Sequence, residues 1–240
     1  MTKENIPLFT ERKEPGWNWL NITGPTKSGK TEFCVDLSRE LKTFYFDFEE
    51  GTIAYPGKFI TVSSMKDFRT KFAMASELAE TNPPDLIVLD PIDALEDMIV
   101  QDYMSEQNIQ NLGDIPYGQG WADVRNKLQA VIQASMRLSA SKLITITHVK
   151  IQILDEKRGN VTFLDMNLTG KTKMFVQSKA DGHCIFKRVK NDDGDSILAI
   201  DFDGTSPNEM SFAGSRFKKF HEITTPQDLK QLIINTTKGD

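Results

Sequence analysis

The stretch NITGPTKSGKTEF, residues 21–33, contains two glycines five positions apart, followed directly by a lysine and a threonine. It matches the pattern G-x-x-x-x-G-K-[ST], in which a glycine-rich turn points successive backbone N–H groups into one concavity. The preceding run WNWLNIT, residues 17–23, alternates like a strand, and apolar residues follow at helical spacing from Phe33 to Leu41. A strand, this turn and a helix in that order place the amides at a helix N-terminus, which attracts anions. The stretch therefore predicts a loop that binds the phosphates of a nucleotide.

Each residue of this loop has an expected contact. The Lys30 ammonium can reach the β- and γ-phosphates of a triphosphate, and the Thr31 hydroxyl can bind Mg²⁺. A glycine turn with a solvated lysine is the alternative interpretation, which the flanking strand and helix disfavour. The residues expected to contact the nucleotide are Gly24, Pro25, Thr26, Lys27, Ser28, Gly29, Lys30, Thr31 and Glu32. ATP and Mg²⁺ are the ligands we expect.

Strands and helices alternate along the first 150 residues. After the first strand, the runs that predict strands are TFYFDFEEG (43–51), GKFITVS (57–63), DLIVLD (85–90) and KLITITHV (142–149). Apolar residues at helical spacing predict helices from Met65 to Leu78 and from Trp121 to Leu138. The run DLIVLD is almost wholly apolar, as expected of a central strand buried on both faces. The alternation predicts an α/β fold with a mainly parallel central sheet and helices on both faces.

The rest of the chain is predicted to be irregular in two places and β-rich beyond them. Residues 101–120 and 151–173 are polar, which predicts loops, the first of them long. Residues 181–189 and 195–202 predict strands, and KNDDG between them predicts a hairpin turn.

The chain is expected to form one compact domain of 240 residues, because no linker-like composition interrupts it. Within it we expect an N-terminal extension at 1–16 and a nucleotide-binding core at 17–150. Residues 151–240 are expected to complete the sheet. They end in a helix at 226–235, where Thr225 can cap the first turn.

Composition excludes several classes of protein. Apolar residues make up 39% and charged residues 26%, and no apolar run approaches the roughly 18 residues of a membrane helix. The N-terminus mixes both charge signs without an apolar core, unlike a signal peptide. Cys34 and Cys184 are too few for a disulfide scaffold. We expect a cytoplasmic protein that does not bind membranes; the net charge of -5 excludes a globally basic nucleic-acid coat but not a local basic groove.

An aspartate ends the strongest predicted strand. Asp90 closes the run LIVLD, where its carboxylate can hold Mg²⁺ together with Thr31. A strand-end turn before Pro91 is the alternative interpretation. Many motor ATPases place a water-activating glutamate at the position that Pro91 occupies, so here such a base must come from elsewhere or be absent.

Two glutamates end another predicted strand and offer that base. Glu49 and Glu50 close the strand that we expect beside the phosphate loop, and a carboxylate there could orient and deprotonate water. We favour Glu49, because in a strand it would share a face with Asp47, which could support it. A solvated acidic turn before Gly51 is the alternative.

A histidine follows the run LITIT. The His148 ring could lie at the carboxyl edge of the sheet and respond to the γ-phosphate, although a purely structural histidine is the alternative. His183 and His221 show no metal-ligand spacing with it, so no zinc site is predicted.

Together these motifs resemble the RecA-like ATPase core. The features are the phosphate loop, the DFE strand end at 47–49, LIVLDPIDAL at 86–95 without a following glutamate, and His148. Four further stretches make the chain similar to the small phage-encoded, single-domain RecA-like ATPases linked to single-strand annealing and recombination. These stretches are GQGWADVRNKLQAVI (118–132), ITITHVK (144–150), KADGHCIFKR (179–188) and GSRFKKF (214–220).

The resemblance implies Mg²⁺-dependent ATP hydrolysis by a phage protein in the host cytoplasm. By it, Lys30 and Thr31 correspond to the phosphate-loop pair, Asp90 to the Mg²⁺ aspartate and Glu49 to the catalytic glutamate. His148 corresponds to the residue that senses the γ-phosphate, where RecA has an amide.

The resemblance also implies partners: single-stranded DNA, further copies of the chain in a ring or filament, and a possible single-strand-binding protein. In such assemblies a basic residue of one subunit completes the site of its neighbour. Candidates for that role or for DNA contact are Lys171, Lys173, Lys187, Arg188 and Arg216. The loop after His148 carries Lys171 and Lys173, together with Lys150, Lys157 and Arg158, and resembles in position the DNA-contacting loop of the family.

Two other functions remain open from the sequence. A small-molecule phosphotransferase would reuse the phosphate loop but needs a lid with arginines, and residues 101–120 contain none. A nucleotide switch that recruits a partner and barely hydrolyses ATP would need the phosphate loop without an effective base.

Overall fold

The computed structural model describes residues 16–138, 142–154, 161–190, 194–203 and 213–238. The strands are β1 (Trp19–Gly24), β2 (Thr43–Asp47), β3 (Ile60–Thr61), β4 (Leu86–Asp90), β5 (Lys142–Leu154), β6 (Val161–Met166), β7 (Gly182–Lys190), β8 (Ser196–Asp201) and β9 (Gly214–Ser215). The helices are α1 (Lys30–Glu40), α2 (Met65–Thr81), α3 (Ile92–Gln107), α4 (Gln119–Arg137), α5 (Gly170–Lys179) and α6 (Pro226–Lys238).

The central sheet has the strand order β3-β2-β4-β5-β1-β7-β8. All neighbours from β3 to β7 are parallel, whereas β8 and β9 pair antiparallel with β7, and β6 pairs antiparallel with the second half of β5. The predicted α/β fold with a mainly parallel sheet is confirmed. Parallel strands end at one edge, so this edge collects the loops that carry ligand-binding residues.

Side chains of the central strands alternate between two apolar cores, one on each face of the sheet. In β4, for example, Ile87 and Leu89 pack against the helices α2, α3 and α4, while Leu86 and Val88 pack on the face of α1 and α6. All five β4 side chains are buried, which confirms that the apolar run is a central strand. Helices on both faces shield the sheet and leave its carboxyl edge as the accessible surface.

The predicted long loop at 101–120 is wrong. Helix α3 continues to Gln107 and α4 begins at Gln119, so only residues 108–118 connect them. The polar residues at the end of α3 gave no helical pattern in the sequence, because the contacts that stabilise this end of the helix come from other elements. The Tyr103 hydroxyl donates a hydrogen bond of 2.8 Å to Asp123 of α4, and the α3 carboxylates pair with cations of α2 and α4.

The predicted loop at 151–173 is also wrong for the residues that the structure describes there. Strand β5 continues to Leu154 and pairs with β6, and α5 begins at Gly170. Hairpin pairing satisfies the backbone groups of this polar stretch without requiring an apolar pattern in the sequence. Residues 155–160 lie outside the described part of the chain.

Two predictions near the C-terminus are confirmed. β7 and β8 form an antiparallel hairpin in which Lys190 lies opposite Ser196, although residues 191–193 of the turn lie outside the description. α6 begins at Pro226, and the Thr225 hydroxyl accepts a hydrogen bond from the Asp228 backbone N–H at 3.2 Å. Of the expected N-terminal extension, only Gly16 lies within the description. Among the described residues, no helix is both long and apolar enough to span a membrane.

Candidate nucleotide-binding site

The phosphate loop begins where β1 ends and leads directly into α1. Gly24, the last residue of β1, has no room for a side chain, since a Cβ there would lie 2.4 Å from the Phe186 carbonyl oxygen. Lys27 and Gly29 adopt left-handed backbone conformations with φ of 63° and 87°. These conformations turn successive amides toward one side of the loop, as an anion-binding nest requires.

The Lys30 side chain lies inside the loop, with 4% of the residue exposed. Its ammonium donates hydrogen bonds of 2.8 Å to the carbonyl oxygens of Gly24 and Pro25. Burial lowers the pKa of Lys30, while the charges of Asp90, Asp93 and Glu49 oppose this shift. The cation is thus held within the loop, where phosphate oxygens would bind.

Asp90 lies at the end of β4, close to the start of α1. The Thr31 hydroxyl donates a 2.8 Å hydrogen bond to the carboxylate, and the Tyr45 hydroxyl donates one of 2.5 Å to the same oxygen. Burial raises the pKa of Asp90 to about 6, although these two hydrogen bonds act in the opposite direction. A buried carboxylate beside a hydroxyl, both hard oxygen ligands, fits Mg²⁺. The sequence offered no signal that singles out Tyr45 within an aromatic run.

Glu49 lies in a turn that Asp47 organises. The Asp47 carboxylate accepts hydrogen bonds from the backbone N–H groups of Glu49, Gly51 and Thr52 at 2.9 to 3.2 Å. Because β2 ends at Asp47, Glu49 is not in the strand, and the expected shared strand face does not apply. Asp47 nevertheless acts as a support, because it holds the turn that carries Glu49.

The expectation that β2 lies directly beside the strand of the phosphate loop is wrong, since β4 and β5 separate it from β1. Parallel register still brings the strand ends together: Gly24 lies opposite His148, and Asp47 opposite Asp90. The Glu49 turn reaches across this edge of the sheet toward His148. Desolvation raises the pKa of Glu49, while the nearby imidazole lowers it.

His148 does not end its strand, because β5 continues beyond it into the hairpin with β6. Its Nδ1 lies 3.0 Å from a carboxylate oxygen of Asp93, a buried residue at the start of α3. One ligand atom each of Glu49, Asp93 and His148 lie within 4.8 Å of one another. The hydrogen bond to Asp93 raises the pKa of His148. Sequence reasoning missed Asp93, although its place three residues after Asp90 was the available signal.

A comparison with models of known protein families shows to which family the chain belongs. The model of the family described as AAA domain (AAA_24) matches residues 19–233, nearly the whole chain. The chain belongs to this AAA domain family. It is an ATPase-type domain with a phosphate loop, and the geometry above is the candidate nucleotide site of this AAA domain.

A search of solved structures found proteins that are similar to this AAA domain at low sequence identity. The RadB recombinase is 18% identical over 76% of this chain and 80% of that chain, with a TM-score of 0.40. The Legionella pneumophila ATPase DotB is 12% identical over 94% of this chain, with a TM-score of 0.35, and the pilus retraction motor PilT with bound ADP is 13% identical over 93%, with a TM-score of 0.38. The matched regions span 54% of DotB and 56% of PilT. No curated protein matched the chain.

The five basic residues named from the sequence lie in different surroundings in the AAA domain. Lys173 pairs at 2.5 Å with the fully buried Asp165, and Lys187 pairs at 3.1 Å with Asp201. Arg216 donates hydrogen bonds to the carbonyl oxygens of Ser178 and Ala180.

The two remaining cations, Arg188 and Lys171, are exposed and line two different pockets. Arg188 lines a pocket of about 250 Å³ together with Gly29 and Glu32. Lys171 lines a different cleft at the start of α5. The structure therefore does not gather the five cations into one surface.

Proposed function

We propose that this protein binds Mg²⁺-ATP and hydrolyses it to ADP and phosphate, and that it does so on single-stranded DNA. One observation carries the first part: the ends of β1, β2 and β4 bring Lys30, the Thr31–Asp90 pair and Glu49 to one edge of the sheet. A triphosphate held by the loop would extend its γ-phosphate toward Glu49. This arrangement supports hydrolysis more directly than phosphate transfer to a small molecule.

Each residue of the site has a separate role in the proposed hydrolysis of ATP. The loop amides and the Lys30 ammonium bind phosphate oxygens and offset the charge that develops on them. Thr31 and Asp90 would hold Mg²⁺, which supplies further positive charge to the β- and γ-phosphates. Glu49 accepts a proton from the attacking water, whose oxygen bonds to the γ-phosphorus as the bond to the β-phosphate oxygen breaks. The products are ADP and inorganic phosphate.

A cleft lined by aromatic and basic residues supports the second part. The Trp121 cleft, of about 480 Å³, lies between the start of α4 and the start of α5. Residues that line it include Tyr117, Trp121, Arg125, Thr169, Gly170 and Lys171. No carboxylate is among the described residues that line it. Exposed aromatic rings beside cations bind single strands by stacking on bases and attracting phosphates.

The conformation of Tyr117 adds to this argument. Its side chain is fully exposed, and its backbone has a φ of 59°, a left-handed conformation that is unfavourable for a bulky residue. Trp121 is also exposed, whereas large apolar side chains are usually buried. Exposed aromatic rings on a strained segment support a binding surface better than they support a purely structural one.

The wider assembly belongs to the same proposal. We propose that the protein is a phage protein that acts in the host cytoplasm as a homo-oligomer, in a ring or a filament, in recombination, annealing or replication. A basic residue of one copy would complete the site of the next, and Arg188, exposed beside the phosphate loop, is the best-placed candidate. A single-strand-binding protein is a further candidate partner.

Turnover assays test the proposed reaction. We expect the protein to release phosphate from Mg²⁺-ATP, with a higher rate when an oligodeoxynucleotide is added, and to phosphorylate no nucleoside in a panel of the common ones. Phosphate release and nucleoside phosphorylation are measured in parallel on the same preparation. A phosphorylated nucleoside would establish the phosphotransferase alternative instead.

Variants of the Trp121 cleft test the DNA surface. Trp121→Ala should weaken single-stranded DNA binding about 5- to 100-fold, because stacking contributes roughly 1–3 kcal/mol per base. Lys171→Ala should lower the slope of log affinity against log salt by about one, because one phosphate contact is lost. Fluorescence anisotropy of a labelled oligonucleotide at several salt concentrations measures both effects.

Matched controls are available on α2. Met74→Ala removes an exposed apolar side chain and Lys66→Ala an exposed cation, both away from the cleft. They should leave affinity and salt slope unchanged. If the cleft variants behave like these controls, single strands bind elsewhere.

A further inference from the structure

Asp93 is a buried carboxylate to which the sequence assigned no role. It is the second residue of α3 and 5% exposed. One of its oxygens accepts a hydrogen bond from the His148 backbone N–H at 3.0 Å. The other lies 3.0 Å from His148 Nδ1 and 3.3 Å from the Asn167 amide nitrogen. Three donors from two segments of the chain therefore converge on one side chain.

These contacts favour one tautomer of the imidazole. An ionised carboxylate only accepts hydrogen bonds, so Nδ1 of His148 must carry its proton toward Asp93. The neutral ring then presents Nε2 as an acceptor, and the protonated ring presents Nε2–H as a donor. A carboxylate that binds one ring nitrogen in this way fixes both the tautomer and the orientation of the ring.

The ring held by Asp93 lies beside the proposed reaction. His148 is opposite Gly24 in the sheet, and its ring approaches Glu49 within the cluster of ligand atoms no more than 4.8 Å apart. The charged groups that act on the imidazole are Asp93 from α3, Glu49 from its turn and Lys30 from the phosphate loop. A ring nitrogen in this position can contact the attacking water or a γ-phosphate oxygen.

We propose that Asp93 is a positioning residue for ATP hydrolysis, which holds His148 as the Nδ1–H tautomer with Nε2 available to the water or the γ-phosphate. This inference rests on the proposed function, because it assigns a role within the same site. Asp93 itself contacts no reacting atom. It acts through the imidazole, and the side-chain amide of Asn167, the residue after β6, donates a hydrogen bond to the same carboxylate.

The first experiment replaces Asp93 with its amide. In Asp93→Asn the side-chain NH₂ would donate to Nδ1, which favours the opposite tautomer with the proton on Nε2. We expect kcat to fall about 10- to 100-fold while the affinity for Mg²⁺-ATP stays within about twofold. The limb of the kcat–pH profile that reports His148 should move to lower pH, because Asp93 is the main cause of the raised pKa.

The control makes the same chemical change one helical turn further on. Asp97→Asn alters an exposed residue of α3 and should leave kcat and its pH profile unchanged. Wild-type kcat in Asp93→Asn would overturn the proposal. So would a lower kcat with an unchanged pH profile, since that outcome indicates a structural role only.

A second measurement needs no variant of Asp93. Nitrogen-15 NMR of the histidine rings, at a pH where His148 is neutral, should show its proton on Nδ1, with the signal identified by its loss in His148→Gln. A proton on Nε2 would overturn the proposal even if Asp93→Asn does not fold. If the wild-type protein does not hydrolyse ATP, the proposed function is refuted. The nitrogen-15 NMR measurement would still show whether Asp93 holds His148 as the Nδ1–H tautomer.

Discussion

Glu49→Gln should lower kcat for ATP hydrolysis by about 10² to 10⁴-fold, because the amide cannot accept the proton of the attacking water. Binding of Mg²⁺-ATP should persist, since the loop amides, Lys30, Thr31 and Asp90 are unchanged. Desolvation raises the pKa of Glu49, so the wild-type rate should fall as the pH drops and this base is protonated. Steady-state phosphate release across pH, with calorimetry for binding, measures both effects.

The neighbouring residue provides the control for this prediction. Glu50 is also exposed and has a left-handed backbone conformation, which Gln tolerates as well as Glu does. Glu50→Gln should therefore hydrolyse ATP like the wild type. Equal turnover in Glu49→Gln and the wild type would show that Glu49 is not the base. Very slow turnover in both Glu49→Gln and the wild type would favour the alternative function, a nucleotide switch that recruits a partner and barely hydrolyses ATP.

Asp90→Asn should have opposite effects on stability and function. The pKa of Asp90 rises from 3.8 to about 6 in the folded protein, which corresponds to a cost of about 3 kcal/mol for the charged form at neutral pH. Replacing the carboxylate with an amide removes that cost but loses hydrogen-bond strength from Tyr45 and Thr31. We expect the free energy of unfolding to rise by about 1–2 kcal/mol at pH 7.5 in the absence of metal.

The same change should remove Mg²⁺-dependent hydrolysis, because a neutral amide is a poor substitute for a metal-binding carboxylate.

A carboxyl group with a raised pKa stabilises the fold when protonated and loses that contribution as the pH rises through about 6. The stability difference between variant and wild type should therefore be largest above pH 6 and decrease toward pH 4. Urea unfolding in EDTA across pH measures it.

Two comparisons sharpen the Asp90 prediction. Asp97→Asn, which changes an exposed carboxylate, should leave hydrolysis intact. Added Mg²⁺-ATP should raise the stability of the wild type but not that of Asp90→Asn. An Asp90→Asn protein that is less stable than the wild type at every pH would show that burial does not penalise this charge.

The sequence predicted features that depend on neighbours along the chain. The phosphate loop requires consecutive residues, because one strand, one turn and one helix N-terminus form it. Burial of β4 and capping of α6 by Thr225 were likewise readable, since an apolar run and a capping pair are local patterns. The helical residues at 101–107 were not readable, because their stabilising contacts come from α2 and α4.

By itself, then, the sequence determined the alternation of elements, the phosphate loop and the carboxylates that end two strands. Only the tertiary structure decided which strands lie side by side, and hence that Glu49 reaches the site through a turn after β2, which β4 and β5 separate from β1. It also decided that Asp93 binds His148, residues 55 positions apart in the chain. The physical reason is that strand order and side-chain contacts follow from packing between distant segments, which no local periodicity records.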